Sequence, residues 1–403
     1  MKAHSPPPQA DVPTTRPRLL YLVTEDWYFL SHRLPMALAA QAAGFDVHVA
    51  TRVGEGTQAA GQVGAARIEQ LGFTLHPLGW RRGSTDPRDL LANIRQVRAL
   101  YRSLQPDLTH HVGLQPSVVG SLAGLGLPIA QLNALTGLGF AFTSRNLKAA
   151  VLRPMMSLLL RLLLMRSRSR ALVQNPDDQA ALVSLGVKAG QIDLIPGSGV
   201  DTDVMQPLPE PAGEVTLAFV GRLLDDKGLR PLIAAHEMMA HQGQTVRLLI
   251  AGDPDPANPA SIPPAEVEAW KRMPHVEVLG HVRDIAEVFA RSHIAVLPSR
   301  REGLPKSLLE AAAFGRPIVA TDVPGCREIA RHEVNALLVP ADDPGPLAGA
   351  LTVLAGDPAL RQRLGAAGRQ IVESEFSSAR IGREIVDLYR RLLVGRSALL
   401  PRP

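Results

Sequence analysis

Residues 299–325 read SRREGLPKSLLEAAAFGRPIVATDVPG, directly after the apolar run Ile294–Leu297 and Pro298. A loop follows that run, and a helical segment begins at about Pro305. Gly315 closes the segment, and a second apolar run, Pro317–Ala320, comes next. Proline in the first turn and glycine past the last is the usual asymmetry of a helix. Strand, loop, helix, strand is the repeating unit of a parallel sheet with covering helices.

The same rhythm extends in both directions. In the first half the spacing predicts strands at Leu19–Val23, Val47–Ala50, Thr74–Pro77, Leu108–His111, Ile129–Asn133 and Arg170–Val173. A helix is predicted over Leu34–Ala43, capped by Gly44. The second half restarts the pattern with Thr216–Val220, Arg247–Ala251, Val276–Leu279, Ile294–Leu297, Pro317–Ala320 and Ala336–Val339. A periodic helix, about Ser378–Leu393, ends it. The expected fold class is α/β, with two doubly wound parallel-sheet, Rossmann-like domains facing across a cleft. Its predicted divisions are a flexible tail (1–16), an N-terminal domain (17–195), a hinge (196–213), a C-terminal domain (214–375), a C-terminal helix (376–393), which the family resemblance given below implies packs back on the first domain, and a second tail (394–403). A chain of 403 residues suits two such domains. In such folds the ligand lies in the crevice beyond the carboxyl ends of the strands.

Two segments border that crevice. In the first, Glu302 sits in the loop and Glu310 lies one to two turns into the helix. The helix N-terminus offers free N–H groups and a positive dipole end, which suit a diphosphate. A helix carboxylate can accept from ribose hydroxyls, and a loop carboxylate can hold sugar hydroxyls. Two glutamates eight apart mean little alone; the Gly-Leu-Pro-Lys context makes them more specific. The second segment is FVGRLLDDKG, Phe219–Gly228. Gly221 permits close backbone approach, and Arg222 and Lys227 can converge on a diphosphate as a fork and a point charge.

Together the two segments resemble family-4 retaining glycosyltransferases of the GT-B fold. Glu302 and Glu310 match the family's E-x7-E element, and Arg222 and Lys227 its G-R-x4-K-G element. The resemblance implies a nucleotide sugar as substrate, no metal and no cofactor. It implies a catalytic role for Glu302, Arg222 and Lys227. It also implies a donor site comprising Gly221, Arg222, Lys227, Glu302, Gly303, Leu304, Lys306, Ser307 and Glu310. A narrower resemblance rests on TEDWYFLSHRLPMA, Thr24–Ala37, and NALTGLGFAF, Asn133–Phe142. These are similar to a bacterial subgroup that extends polyprenyl-diphosphate-linked oligosaccharides. That likeness places His32, Arg33, Gly137 and Gly139 on the acceptor side, and implies a UDP-sugar donor and an undecaprenyl-linked acceptor; His110 and His111, at the end of a predicted strand facing the cleft, are further acceptor-side candidates. Relatives read D-x-x-H-x-H where this chain reads DLTHHV, so Val112 stands at the second histidine's place.

Charge adds a partner. The net charge is +5, yet no acid occurs between Asp107 and Asp177, where Arg145, Lys148, Arg153, Arg161, Arg166, Arg168 and Arg170 lie. On a helical wheel at ~100° per residue Arg153, Arg161 and Arg168 fall within roughly 80°. The stretch 146–170 therefore suits a helix lying on an anionic membrane surface, here the inner face of the cytoplasmic membrane. No apolar run reaches the ~20 residues of a membrane span. Aromatic residues are only 4% and do not interleave with the arginines, which disfavours nucleic acid. Asp201-Thr-Asp203 spells D-x-D but is expected to be a turn, and no His/Cys cluster has zinc spacing. The alternatives are a soluble acceptor on the same fold, a sugar-nucleotide epimerase, and a non-enzymatic membrane scaffold.

Overall fold

The computed structural model describes residues 16–53, 58–81, 86–135, 147–256 and 258–397. They form two parallel sheets. The first holds Arg18–Glu25 (β1), Asp46–Arg52 (β2), Thr74–Pro77 (β3), Leu108–Val112 (β4), Ala130–Ala134 (β5), Ser169–Val173 (β6) and Ile192–Leu194 (β7). Their order is β3-β2-β1-β4-β5-β6-β7. The second holds Thr216–Val220 (β8), Arg247–Ala251 (β9), Val276–Gly280 (β10), Ile294–Leu297 (β11), Ile318–Thr321 (β12) and Ala336–Val339 (β13), in the order β10-β9-β8-β11-β12-β13. Both orders reverse beside the first strand of the sheet, between β1 and β4 and between β8 and β11. That switch point leaves a crevice at the carboxyl ends. The strands read as apolar runs because helices cover both faces. The three-residue β7 is too short to carry a period and was not expected.

The helix Ser378–Ser397 follows the second sheet but belongs to the first domain. Its Ile381, Ile385, Leu388 and Tyr389 share a core with Leu19, Tyr21 and Met36. The Tyr389 hydroxyl lies 2.7 Å from that of Tyr21 and 2.6 Å from His110 Nδ1. The chain therefore crosses between the domains twice, and the crossings run side by side. Val200 N–H donates to the Phe376 carbonyl (3.0 Å), and Ser378 N–H to that of Val200 (2.8 Å). Gly199 has φ +67°, and a Cβ there would sit 2.5 Å from the Phe376 oxygen, so only glycine fits the crossing.

This narrows the predicted hinge of 196–213. Beyond Val200 the linker is stapled to the C-terminal domain by three buried arginines. Arg316 donates to Pro209 O (2.8 Å) and Arg369 to Thr202 O (2.8 Å). Arg361 forks onto the Glu210 carboxylate (3.1 and 2.5 Å). The chain passes between the two bodies at 197–200 and 376–378. Asp201 Oδ1 accepts from the N–H groups of Asp203 and Val204 (3.0 and 3.1 Å), so this D-x-D closes a turn.

Candidate active site

The loops after β8 and β11 flank the switch point of the second sheet and carry the donor-side residues. After β8 a short 3-10 turn, Asp225–Lys227, ends at Gly228 with φ +72°. A Cβ on Gly228 would lie 1.9 Å from the Pro298 carbonyl oxygen. The absence of a side chain therefore lets the two loops touch, and that contact brings Lys227 to Glu302. Lys227 Nζ lies 2.6 Å from Glu302 Oε1. Ser299 Oγ donates to the same oxygen at 2.6 Å. Arg222 Nη1 lies 2.8 Å from Asp255 Oδ2, and Asp255 is buried. Asp255 thereby holds Arg222 in place.

The helix Lys306–Ala313 begins at Pro305 with no side-chain cap, so its first N–H groups are open to a ligand. Lys306 and Ser307 are its first residues, and Lys306 Nζ lies 3.1 Å from Glu310 Oε1. Glu310 is 8% exposed. Burial raises its pKa above the usual carboxylate range, against the lowering effect of Lys306. Leu304 packs on the crossing, 2.7 Å from where a Cβ on Gly197 would be.

On the opposite wall His32 is half-buried. Its ring stacks on Tyr28 (4.3 Å, 7°), and Nδ1 lies 2.6 Å from Ser31 Oγ. Burial lowers its pKa to about 3, assisted by the charges of Arg33, Lys306, Lys227 and Arg222. The structure therefore places His32 near Arg222, Lys227 and Lys306 as a neutral imidazole. Arg33 lies deeper, 1% exposed, with Nη1 3.3 Å from Ser198 Oγ in the crossing.

His110 and His111 lie in the core, away from the cleft. They are not at the end of β4, which runs on to Val112, and helices cover both faces. Successive side chains therefore point into opposite cores. His110 stacks on Tyr21 at 4.9 Å. His111 meets Tyr101 OH (2.8 Å) and Asn133 Oδ1 (2.8 Å). Both are fully buried. Gly137 and Gly139 lie outside the described residues.

Two further contacts cross the cleft. Asn175 Nδ2 donates to Gly303 O at 2.8 Å, and Arg301 Nη2 meets Asp178 Oδ1 at 2.7 Å. Nothing in the sequence ties residues so far apart, although Arg301 stands inside the quoted stretch. Among the described residues no group of three or more His, Cys, Asp or Glu could hold a metal, and no helix is long and apolar enough to cross a membrane.

Two parallel sheets meeting at a crevice, with cations, paired glutamates and an open helix end on one wall, define a GT-B glycosyltransferase. Residues 18–174 match the family model described as Glycosyl transferase 4-like, and residues 214–357 that described as Glycosyl transferases group 1. The chain belongs to this family of glycosyltransferases. It is 27% identical over 388 residues to EpsD of Bacillus subtilis, across 92% of this chain and 96% of that one. It is 24% identical over 387 residues to the N,N'-diacetylbacillosaminyl-diphospho-undecaprenol alpha-1,3-N-acetylgalactosaminyltransferase of Campylobacter jejuni, across 91% and 98%. Its fold is similar to that of HepE (Alr3699) from Anabaena, solved in complex with UDP, with TM-score 0.73 and 17% identity over 93% of this chain and 100% of that one.

Proposed function

We propose that this chain moves a sugar, with retention of configuration, from a uridine diphosphate sugar to a polyprenyl-diphosphate-linked glycan in bacterial surface glycan assembly. The observation that carries the reading is the Lys227–Glu302–Ser299 cluster beside the uncapped helix end. Both bonds to Glu302 fall on Oε1, so Oε2 is the oxygen offered to a sugar hydroxyl. Lys227, Arg222 and the first N–H groups of Lys306–Ala313 would hold the diphosphate, and Glu310 the ribose. The acceptor hydroxyl oxygen attacks the anomeric carbon as the bond to the diphosphate breaks, and the hydroxyl proton passes to the departing phosphate oxygen. Charge accumulates on that phosphate, where fixed positive groups lower the barrier most, and this reading calls on no metal.

UDP in the Anabaena structure supports the choice of base, and the Campylobacter relative supports the acceptor class. The helix Leu147–Leu164 would seat the enzyme on the membrane that carries such an acceptor. Its described outer face presents Pro154, Leu158, Arg161 and Leu162 to solvent. The test incubates the protein with single UDP sugars and membrane extract containing undecaprenyl-diphosphate sugars, and reads products by mass. A lipid-linked product heavier by one sugar is expected. Absence of transfer from every UDP sugar would sink the proposal.

A further inference from the structure

Three consecutive residues of the donor loop leave it in three directions. Arg300 stays within its own domain, with Nε 2.7 Å from Asp342 Oδ1 and Nη1 2.5 Å from Asp225 Oδ2. Glu302 turns to Lys227 and Ser299. Arg301, between them, crosses the cleft to Asp178. One residue past Glu302, the Gly303 carbonyl is held from the same side by Asn175. The residues on each side of Glu302 are therefore gripped by the other domain, Arg301 by its side chain and Gly303 by its carbonyl.

The gripping end is itself built to be rigid. Asn175 is the N-cap of the helix Pro176–Ser184, its Oδ1 accepting from Asp178 N–H at 2.8 Å. Its Nδ2 donates to Asp178 Oδ2 at 3.1 Å and to Gly303 O at 2.8 Å. Asp178 thus has one oxygen on Asn175 and the other on Arg301, and its side chain is fully buried. A carboxylate that buried depends on such partners, because an unpaired charge there is costly. Opening the cleft would strip Asp178 of its cation and Gly303 of its donor together.

We propose that Asn175 and Asp178 are positioning residues of the transfer reaction. By holding Gly303 and Arg301 across the cleft, they lock Glu302 in its working place only when the two domains are closed. This rests on the donor-site reading above and extends it. Closure about the crossing at Val200 and Ser377 then completes the site, and an open molecule binds donor without being organised to use it.

The experiment uses the full chain and four variants. Asn175→Ser keeps a cap but is too short to reach Gly303. Asp178→Ala, Arg301→Ala and their double form a mutant cycle. Folding is checked by thermal melting and by UDP binding in a calorimeter. With a substrate pair the wild type uses, kcat is expected to fall on the order of 10- to 100-fold in each single variant. UDP affinity is expected to move by less than about threefold, and the double variant to lose no more than the worse single. In parallel, deuterium uptake with UDP bound should rise at residues 300–304 in Asn175→Ser and Asp178→Ala. Unchanged kcat together with unchanged uptake at 300–304 would overturn the proposal, as would strictly additive losses in the cycle. If the wild type transfers no sugar at all, the proposed function fails, while the uptake measurement still decides the latch.

Discussion

Glu302 takes two hydrogen bonds on one oxygen, from a lysine and from a serine. Glu302→Gln keeps the shape, removes the charge and leaves Lys227 facing an amide. We expect kcat/KM for transfer to fall on the order of 10²- to 10³-fold, the usual cost of losing one electrostatic group at a reacting centre. The melting temperature should barely move. Full activity in this variant would show that Glu302 is not part of the chemistry. The residue was legible because its motif is local: loop, proline, helix and two glutamates in one short stretch. Lys227 and Arg222 were legible for the same reason. Asp255, Asn175 and Asp178 were not, because each acts on a partner tens to more than a hundred positions away, and no period or spacing marks such a pair. His110 and His111 were misplaced because an apolar strand covered on both faces has no outward side to read.

The helix Leu147–Leu164 shows what charge counting sees and what it misses. Leu160, Leu163 and Leu164 are buried, while Leu158 and Leu162 remain 56% and 61% exposed. Two of the seven basic residues counted in the sequence lie just beyond the helix and are tied to polar groups of their own domain. Arg166 donates to Ser121 O (3.1 Å) and Gln131 Oε1 (3.3 Å), and Arg170 pairs with Asp193 at 2.9 Å. Among the described side chains of the helix, the exposed ones are Pro154, Leu158, Arg161 and Leu162. If the helix seats the enzyme on lipid, replacing Leu158 and Leu162 by serine should weaken co-sedimentation with anionic vesicles at low salt by about tenfold or more, since each leucine still has half its apolar area to bury. Equal sedimentation of variant and wild type would remove this helix from membrane binding.

At the scale of the molecule, the two parallel sheets follow from the alternation of apolar runs, whereas the order of their strands does not. The linker 196–213 was expected as a hinge. The arginines that fix most of it to the C-terminal domain lie far downstream. The two-sided core has a pH consequence. Burial pushes His111 to about 4 and His110 well below its usual value, so neither protonates in the folded protein near neutrality. Unfolded, both take up protons near pH 6.5. Between pH 6.5 and about 4 the unfolded chain binds more protons, so stability present above pH 6.5 is lost as pH falls. His111 should cost about 2 kcal/mol by pH 5, and His110 acts in the same direction. Glu310 and Asp178, whose pKa values burial raises, act in the opposite sense. The check is a comparison: the urea midpoint of His110→Phe should depend less on pH between 7 and 5 than that of the wild type. Parallel slopes would show that His110 does not titrate on unfolding.

Tyr389 donates or accepts between Tyr21 and His110 in the middle of the first domain, although it lies 368 and 279 positions from them in the chain, with the whole second domain between. During synthesis, β1 to β7 leave the ribosome long before the helix that covers one of their faces. Until that helix emerges, Leu19, Tyr21 and Met36 have no Ile381, Ile385 or Leu388 to bury against. The second domain holds its own core and can fold first. In this protein the domain made first is completed last, and a nascent chain stalled before Tyr389 exposes the apolar surface that chaperones bind.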